Sequence, residues 1–189
     1  NLLVADAGFR GVVVHPDLGE EPEILHRSAD RLVVRVPASA RAPLAGKKIS
    51  ALGYGGLEFL TTIPGHFGGS VIQNAGCYGH ELRDSLVTVE AVRTGQVATV
   101  SNASCEFAYR DSIFKRDNSA WIASATLELA AGDCAAIAAR IEDYKNRRIA
   151  SQPKNRRSAG SIFKNPAPGV SPKKAWQLID KAGLRGVSQ

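Results

Sequence analysis

The stretch GYGGLEFLTTIPGHFGGSVIQNAGCYG, Gly53 to Gly79, constrains this chain more than any other. Eight of the chain's 18 glycines fall within it. Glycine tolerates positive φ and lets a neighbouring backbone or a ligand come close. Successive backbone N–H groups in such loops form anion-binding concavities. Pro64 stiffens the approach at Ile63-Pro64-Gly65. The dedicated phosphate motifs do not fit. A P-loop ends in Gly-Lys-Ser/Thr, whereas Gly69 is followed by Ser70 with no lysine. A dinucleotide fingerprint needs G-x-G-x-x-G, and here Glu58 stands at the last position after Gly53 and Gly55. Two readings stay open: a structural loop packed on a sheet, or a loop that holds a diphosphate by another route.

The segments around the loop supply the sheet and helices. LLV, GVVVH at Gly11–His15 and RLVVRV at Arg31–Val36 are short Val-rich runs bounded by Gly, Pro and Asp, and they read as strands. ASARAPLAGKKISAL is helical in part, limited by Pro43 and Gly46. LVTVEAVRTGQVATVS contains two alternating runs joined at Thr94-Gly95, a hairpin signal. A further strand is expected over Trp121–Leu129. From Asp133 the period changes. Ile137, Ile141, Tyr144 and Arg148 recur as on one helix face, with Asp133 as the N-cap and Pro153 ending the region. SPKKAWQLIDKAG predicts a helix capped by Ser171, with Pro172 at its first position and Gly183 just past its end. The class is α+β.

A chain of 189 residues with 44% hydrophobic residues can bury a real core in one large or two small domains. Its net charge of +6 favours anionic partners. No apolar run approaches the ~18 residues of a membrane span, and no signal-peptide pattern is visible. Cys77, Cys105 and Cys134 are odd in number, and their spacings of 28 and 29 match no metal or redox pattern. They read as reduced thiols of a cytosolic protein. The chain opens on a strand without a lead-in and closes on GLRGVSQ without a final element, so a fragment is expected.

Three further places carry chemistry. Arg110, between Tyr109 and Asp111, reads as a solvated surface group or as a fork for a carboxylate or a developing negative charge. The tetrapeptide SIFK occurs at Ser112–Lys115 and again at Ser161–Lys164. Both copies fit the S-x-x-K of acyl-transferring enzymes, but the companion S-D-N and K-T-G motifs are absent. Gly160 leaves the Ser161 hydroxyl accessible, and a hydroxyl without a basic partner still serves as a proton donor. Lys145, Arg147, Arg148, Lys154, Arg156 and Arg157 fall within 13 residues. They form a solvated helix end or a funnel for a phosphorylated substrate. Aromatics do not interleave with these charges, which disfavours RNA.

In one consistent order, NLLVADAGFRGVVV, GLEFLTTIPGHFGGSVIQNAGCYG, CEFAYRDSIFK, SAGSIFKNP and AWQLIDKAGLRG resemble the bacterial UDP-N-acetylenolpyruvoylglucosamine reductases. The resemblance spans nearly the whole chain. It implies a two-lobed FAD-binding unit of the vanillyl-alcohol-oxidase type and the start of an α+β substrate-binding domain. On that basis 1–28 is the remnant of the first lobe, 29–150 the second lobe, and 151–189 the beginning of the substrate domain. It implies non-covalent FAD, NADPH as donor, and reduction of UDP-N-acetylglucosamine enolpyruvate to UDP-N-acetylmuramate by a monomeric cytoplasmic enzyme. Matched to the family's motifs, Ser161 gives the proton and Arg110 stabilises the enolate-like intermediate. Tyr109, Lys164 and Asn165 contact substrate. Asn1, Pro64, Gly65, Gly68, Gly69, Asn74, Gly76 and Tyr78 belong to the flavin loops. A catalytic glutamate is expected beyond Gln189. Between Trp121 and Pro153 there is no room for the substrate-covering tyrosine loop of one subclass. The alternatives are another FAD-dependent oxidoreductase of the same superfamily, or an inactive anion-binding paralogue.

Overall fold

The computed structural model describes residues 4–117, 119–152, 161–167 and 169–186. The chain divides into two units, Asn1–Pro153 and Lys154–Gln189.

The first unit is built on a five-stranded sheet in the order β1-β2-β7-β5-β6. The strands are β1 (Glu23–Arg27), β2 (Arg31–Pro37), β5 (Leu86–Arg93), β6 (Gln96–Ser101) and β7 (Ala120–Ala130). Every pairing in it is antiparallel. A short ribbon, β3 (Gly76–Cys77) and β4 (His80–Glu81), stands apart from it. The period-2 pattern decides which face is covered. On β2, Leu32, Val34 and Val36 are fully buried and alternate with partly exposed residues. Ala125, Leu127 and Leu129 of β7 and Val89 and Ala91 of β5 join them in the same core cluster. That core is closed by helix α1 (Ala42–Ser50), a 3₁₀ turn at Glu58–Thr62, and helix α2 (Phe67–Ile72). Their contributions include Ala45, Ile49, Phe59, Leu60, Phe67 and Val71. The result is a mixed α and β fold with an antiparallel sheet.

The local signals explain most of these elements. The turn between β5 and β6 places Thr94 at φ 48° and Gly95 at φ 79°. Two positive φ values make it the primed turn that matches the twist of a hairpin. Helix α4 (Cys134–Ser151) begins where Asp133 Oδ1 accepts from Ala136 N–H at 2.7 Å. Its buried residues are Ile137 and Tyr144, with Ile141 and Arg148 half-buried on the same face. Ala131, Gly132 and Asp133 alone link β7 to α4.

Two expectations are corrected. Gly11–His15 forms no strand, and Val12, Val13 and Val14 are 86%, 79% and 53% exposed. A β-run needs a partner to satisfy its backbone groups, and none of the named strands pairs with this one. In the second unit, helix α5 (Ala175–Lys181) starts three residues later than Pro172. Ser171 Oγ accepts from Lys173 N–H at 3.1 Å, which closes a local turn in place of the first helical turn. The helix start is capped by Gln177 Oε1, which accepts from Lys174 N–H at 2.8 Å. Gly183 follows its end at φ 70°. Leu2, Leu3 and Pro153 lie outside the described residues, and Val4, the last of the LLV run, is exposed and in no strand. No described helix is long and apolar enough to cross a membrane.

One ion pair fastens α4 to the 3₁₀ turn. Glu58 Oε1 accepts from Arg140 Nη2 at 2.7 Å, and its Oε2 accepts from Gly56 N–H at 2.7 Å. Burial pushes the Glu58 carboxyl up. Backbone N–H bonds from Glu58 and Gly56, with the Arg140 guanidinium, outweigh it and hold the group below its ordinary value. A carboxylate depressed by folding contributes stability above its unfolded pKa of about 4.3, and that contribution is lost as pH falls through the folded value. Thermal unfolding of Glu58→Gln at pH 7 and pH 3 checks this. The variant should unfold at lower temperature than the wild type at pH 7, with the gap narrowing at pH 3. A gap that widens on acidification would contradict it.

Candidate active site

The segment from Gly65 to Tyr78 is pinned first by backbone contacts. Gly65 O accepts from Ala42 N–H at 2.9 Å, Phe67 N–H donates to Ala40 O at 2.8 Å, and Gly68 N–H donates to Ala38 O at 2.9 Å. The loop after β2 is thereby zipped to the start of α2. Gly68 has a packing reason, since a Cβ there would stand 2.8 Å from Ala38 Cβ. Gly76 has one too, because a Cβ would meet His80 O at 2.4 Å inside the β3–β4 ribbon. Gly69 differs. It is exposed, and nothing lies within 4 Å of where a Cβ would be. That is an open approach to backbone of the kind a flat cofactor uses. Pro64 is also exposed and Gly65 is half-buried at φ 115°.

Tyr78 caps the far end of the segment. It has φ 57°, its ring stacks on Tyr144 of α4 with centroids 4.5 Å apart, and its hydroxyl donates to Tyr144 O at 3.1 Å. Between Gly76 and Tyr78 lies Cys77. Burial pushes its thiol up, while a hydrogen bond from Thr62 and the charges of Arg110 and Arg148 pull the other way without offsetting it. The thiol is therefore protonated at neutral pH and is no nucleophile. The same balance shows that Arg110 and Arg148 act on one spot. Of the basic run, Lys145 pairs with Glu142 at 3.1 Å and Arg147 with Asp143 at 2.8 Å along the helix. Lys154, Arg156 and Arg157 lie outside the described residues.

Arg110 sits at the corner of a hairpin. Ala108 and Asp111 exchange both backbone bonds, each 3.1 Å long, and Arg110 between them has φ 56°. A left-handed non-glycine residue costs on the order of 1 kcal/mol and persists only where its surroundings over-determine it. They do so here. Arg110 Nη2 donates to Gly76 O at 2.5 Å, and its guanidinium carbon lies 5.2 Å from the centre of the Tyr109 ring. Tyr109 is 45% exposed. No acid pairs with Arg110 among the described residues.

The structure joins Arg110, Tyr109, Asn74, Gly76 and Tyr78 in one region of the first unit. Ser161, Lys164 and Asn165 belong to the second unit. There Ser161 and Lys164 are exposed in a segment that is neither helix nor strand. Asn165 Oδ1 accepts from Ala175 N–H at 3.0 Å, which ties that segment to the start of α5. Asn1 lies outside the described residues.

Sequence reasoning missed the residues that hold Arg110 in place. Ser112 and Lys115, the ends of the first SIFK, both serve the hairpin: Ser112 is fully buried and donates to Ile72 O at 2.8 Å, and Lys115 Nζ donates to Arg110 O at 2.9 Å. Asn74 is also fully buried, and its amide is spent inside the protein. The recurrence of SIFK was a signal, but spacing alone does not tell a nucleophile from a brace.

Comparison with known proteins agrees with this layout. Residues 152–189 match the model of the UDP-N-acetylenolpyruvoylglucosamine reductase C-terminal domain. A UDP-N-acetylenolpyruvoylglucosamine reductase from Leptospira interrogans is 42% identical over 80% of this chain and 49% of its own length. Its counterpart from Carboxydothermus hydrogenoformans is 36% identical over 100% of this chain and 60% of its own length. The crystal structure of the Thermus caldophilus enzyme superposes with a TM-score of 0.70 at 34% identity, covering 81% of this chain and 55% of that one. The chain thus spans roughly half to three-fifths of these relatives. Over the part of those proteins that it spans, the chain is similar to the UDP-N-acetylenolpyruvoylglucosamine reductases in sequence and in fold.

Proposed function

We propose that this protein reduces UDP-N-acetylglucosamine enolpyruvate to UDP-N-acetylmuramate, with NADPH as electron donor and FAD as bound carrier, in the cytoplasmic synthesis of peptidoglycan precursors. The observation that carries the reading is Arg110. It is a guanidinium held in a costly backbone corner against the glycine segment, with no acid paired to it among the described residues. A protein keeps such an arrangement where an external anion completes it. The names of the relatives favour the same substrate.

Pro64, Gly65, Gly68, Gly69, Gly76 and Tyr78, with Asn1 of the other flavin loop, would hold FAD, and the open backbone at Gly69 fits the approach of a flat ring. Bound there, FAD supplies the two-electron chemistry that side chains lack. The chain's own groups do the rest. Arg110 grips the substrate carboxylate with its fork and offsets the negative charge that grows beside it. Ser161 Oγ gives up its proton to the carbon left electron-rich. Tyr109 shapes the wall of the site, and Lys164 and Asn165 hold the substrate. In this reading residues 1–28 are the remnant of the first lobe and 29–150 the second lobe of a two-lobed flavin-binding unit of the vanillyl-alcohol-oxidase type, residues 151–189 begin the substrate domain, and the protein works as a monomer.

An absorption spectrum of the intact protein tests the proposal. A flavin band at about 450 nm that NADPH bleaches is expected. A protein that retains no flavin after FAD is added in excess would sink it.

A further inference from the structure

Four side chains bolt the Arg110 hairpin to one short stretch of the glycine segment, and each is spent on the protein itself. Lys115 Nζ bridges Gln73 Oε1 at 3.0 Å and Arg110 O at 2.9 Å. Asn74 Nδ2 donates to Ala108 O at 3.1 Å and to Glu81 Oε2 at 3.0 Å, while its Oδ1 accepts from Arg83 N–H at 3.1 Å. Ser112 Oγ reaches Ile72 O, and Arg110 itself reaches Gly76 O. The points at which these four meet the glycine segment all fall between Ile72 and Gly76. Asn74 has φ 42° and is fully buried, so it too is held where an ordinary residue would not rest.

These contacts have one consequence in common. The carbonyl of Arg110 and the carbonyl two residues before it are both fixed, each by a donor from outside the turn. A turn with both shoulders fixed has one orientation for its corner side chain. Lys115 is the sharper case. It is half-buried at the surface, it lines no part of the core, and its one bond to the hairpin is to the backbone of Arg110.

We propose that Lys115, seconded by Asn74, is a positioning residue that sets Arg110 against the glycine segment. Its work shows only in the half-reaction that consumes the enolpyruvyl substrate. This rests on the assignment of Arg110 made above. A misplacement of about 1 Å at a distance from the reacting atoms costs about 100-fold in rate. Removing Lys115 therefore slows substrate reduction and leaves NADPH oxidation alone, because the carboxylate assigned to Arg110 belongs to the enolpyruvyl substrate.

The test uses the intact, FAD-loaded protein and follows the two half-reactions separately by stopped flow. In Lys115→Met the reduction of flavin by NADPH should proceed as in the wild type. Its reoxidation by UDP-N-acetylglucosamine enolpyruvate should slow by about 100-fold. In Lys115→Arg, which keeps a cationic donor, much of that loss should be recovered. Reoxidation at the wild-type rate in Lys115→Met would overturn the proposal. So would equal losses in both half-reactions with a lowered melting temperature, since that marks a brace for the fold alone. A wild-type protein whose flavin NADPH cannot reduce would instead overturn the function proposed above, whatever the variants do.

Discussion

Ser161→Ala in the intact protein should leave the reduction of flavin by NADPH unchanged and slow the formation of UDP-N-acetylmuramate by about 100- to 10,000-fold, the range a positioned proton donor contributes. The reasoning runs from the residue upward. Ser161 is exposed in a segment that is neither helix nor strand, so its hydroxyl is open to a ligand. Gly160 precedes it and adds no side chain to shield it. A hydroxyl is a weak acid, but it donates readily to a carbon on which negative charge has already gathered. A serine so used needs no histidine base. The contrast with Ser112 is internal to the chain: that serine begins the same tetrapeptide, is fully buried, and donates to Ile72 O. Ser112→Ala should therefore act on stability, and Ser161→Ala on one half-reaction. If alanine at Ser161 slows both half-reactions alike, the proton-donor role is wrong.

Arg110→Lys should be nearly as damaging, with a loss of about 100- to 1,000-fold in the same half-reaction, comparable to removing one preorganised donor from a site of developing charge. The substitution keeps the charge and removes the fork. An ammonium is a point charge on a flexible stem and cannot grip a carboxylate bidentately. It also forfeits the bond from Nη2 to Gly76 O that fixes the side chain over the Tyr109 ring. Affinity for the substrate should fall along with the rate, because the carboxylate is held in the ground state as well. Kinetics of single turnover with increasing substrate separate the two. A variant with wild-type reoxidation would show that the carboxylate is held elsewhere.

The strands and helices that bury an apolar face were legible from pattern. β2, β5, β6, β7 and α4 stand where alternation, the Thr94-Gly95 turn and the Asp133 cap put them. Pattern failed where the decision was not local. Val12, Val13 and Val14 have strand composition but no partner strand, and α5 begins after a turn that Ser171 closes in competition with the helix. The site was legible in a different way. Arg110, Tyr109 and the glycine segment were found by type and order, and their convergence in one unit is a matter of tertiary structure. The glycines that looked alike in sequence separate into those that packing requires, Gly68 and Gly76, and one that leaves open backbone, Gly69. That Lys115 and Asn74 brace the Arg110 hairpin could not be read from residue type, since the bonds depend on how the chain folds back on Gln73 and Ala108.

The central claim is that electrons held by the flavin reach the enolpyruvyl group of the substrate. The most direct measurement reduces the intact protein with one equivalent of NADPH without oxygen and then adds UDP-N-acetylglucosamine enolpyruvate. The account predicts that the band at about 450 nm returns as an equal amount of UDP-N-acetylmuramate forms. A band that stays bleached, with the enolpyruvyl compound recovered unchanged, would contradict it.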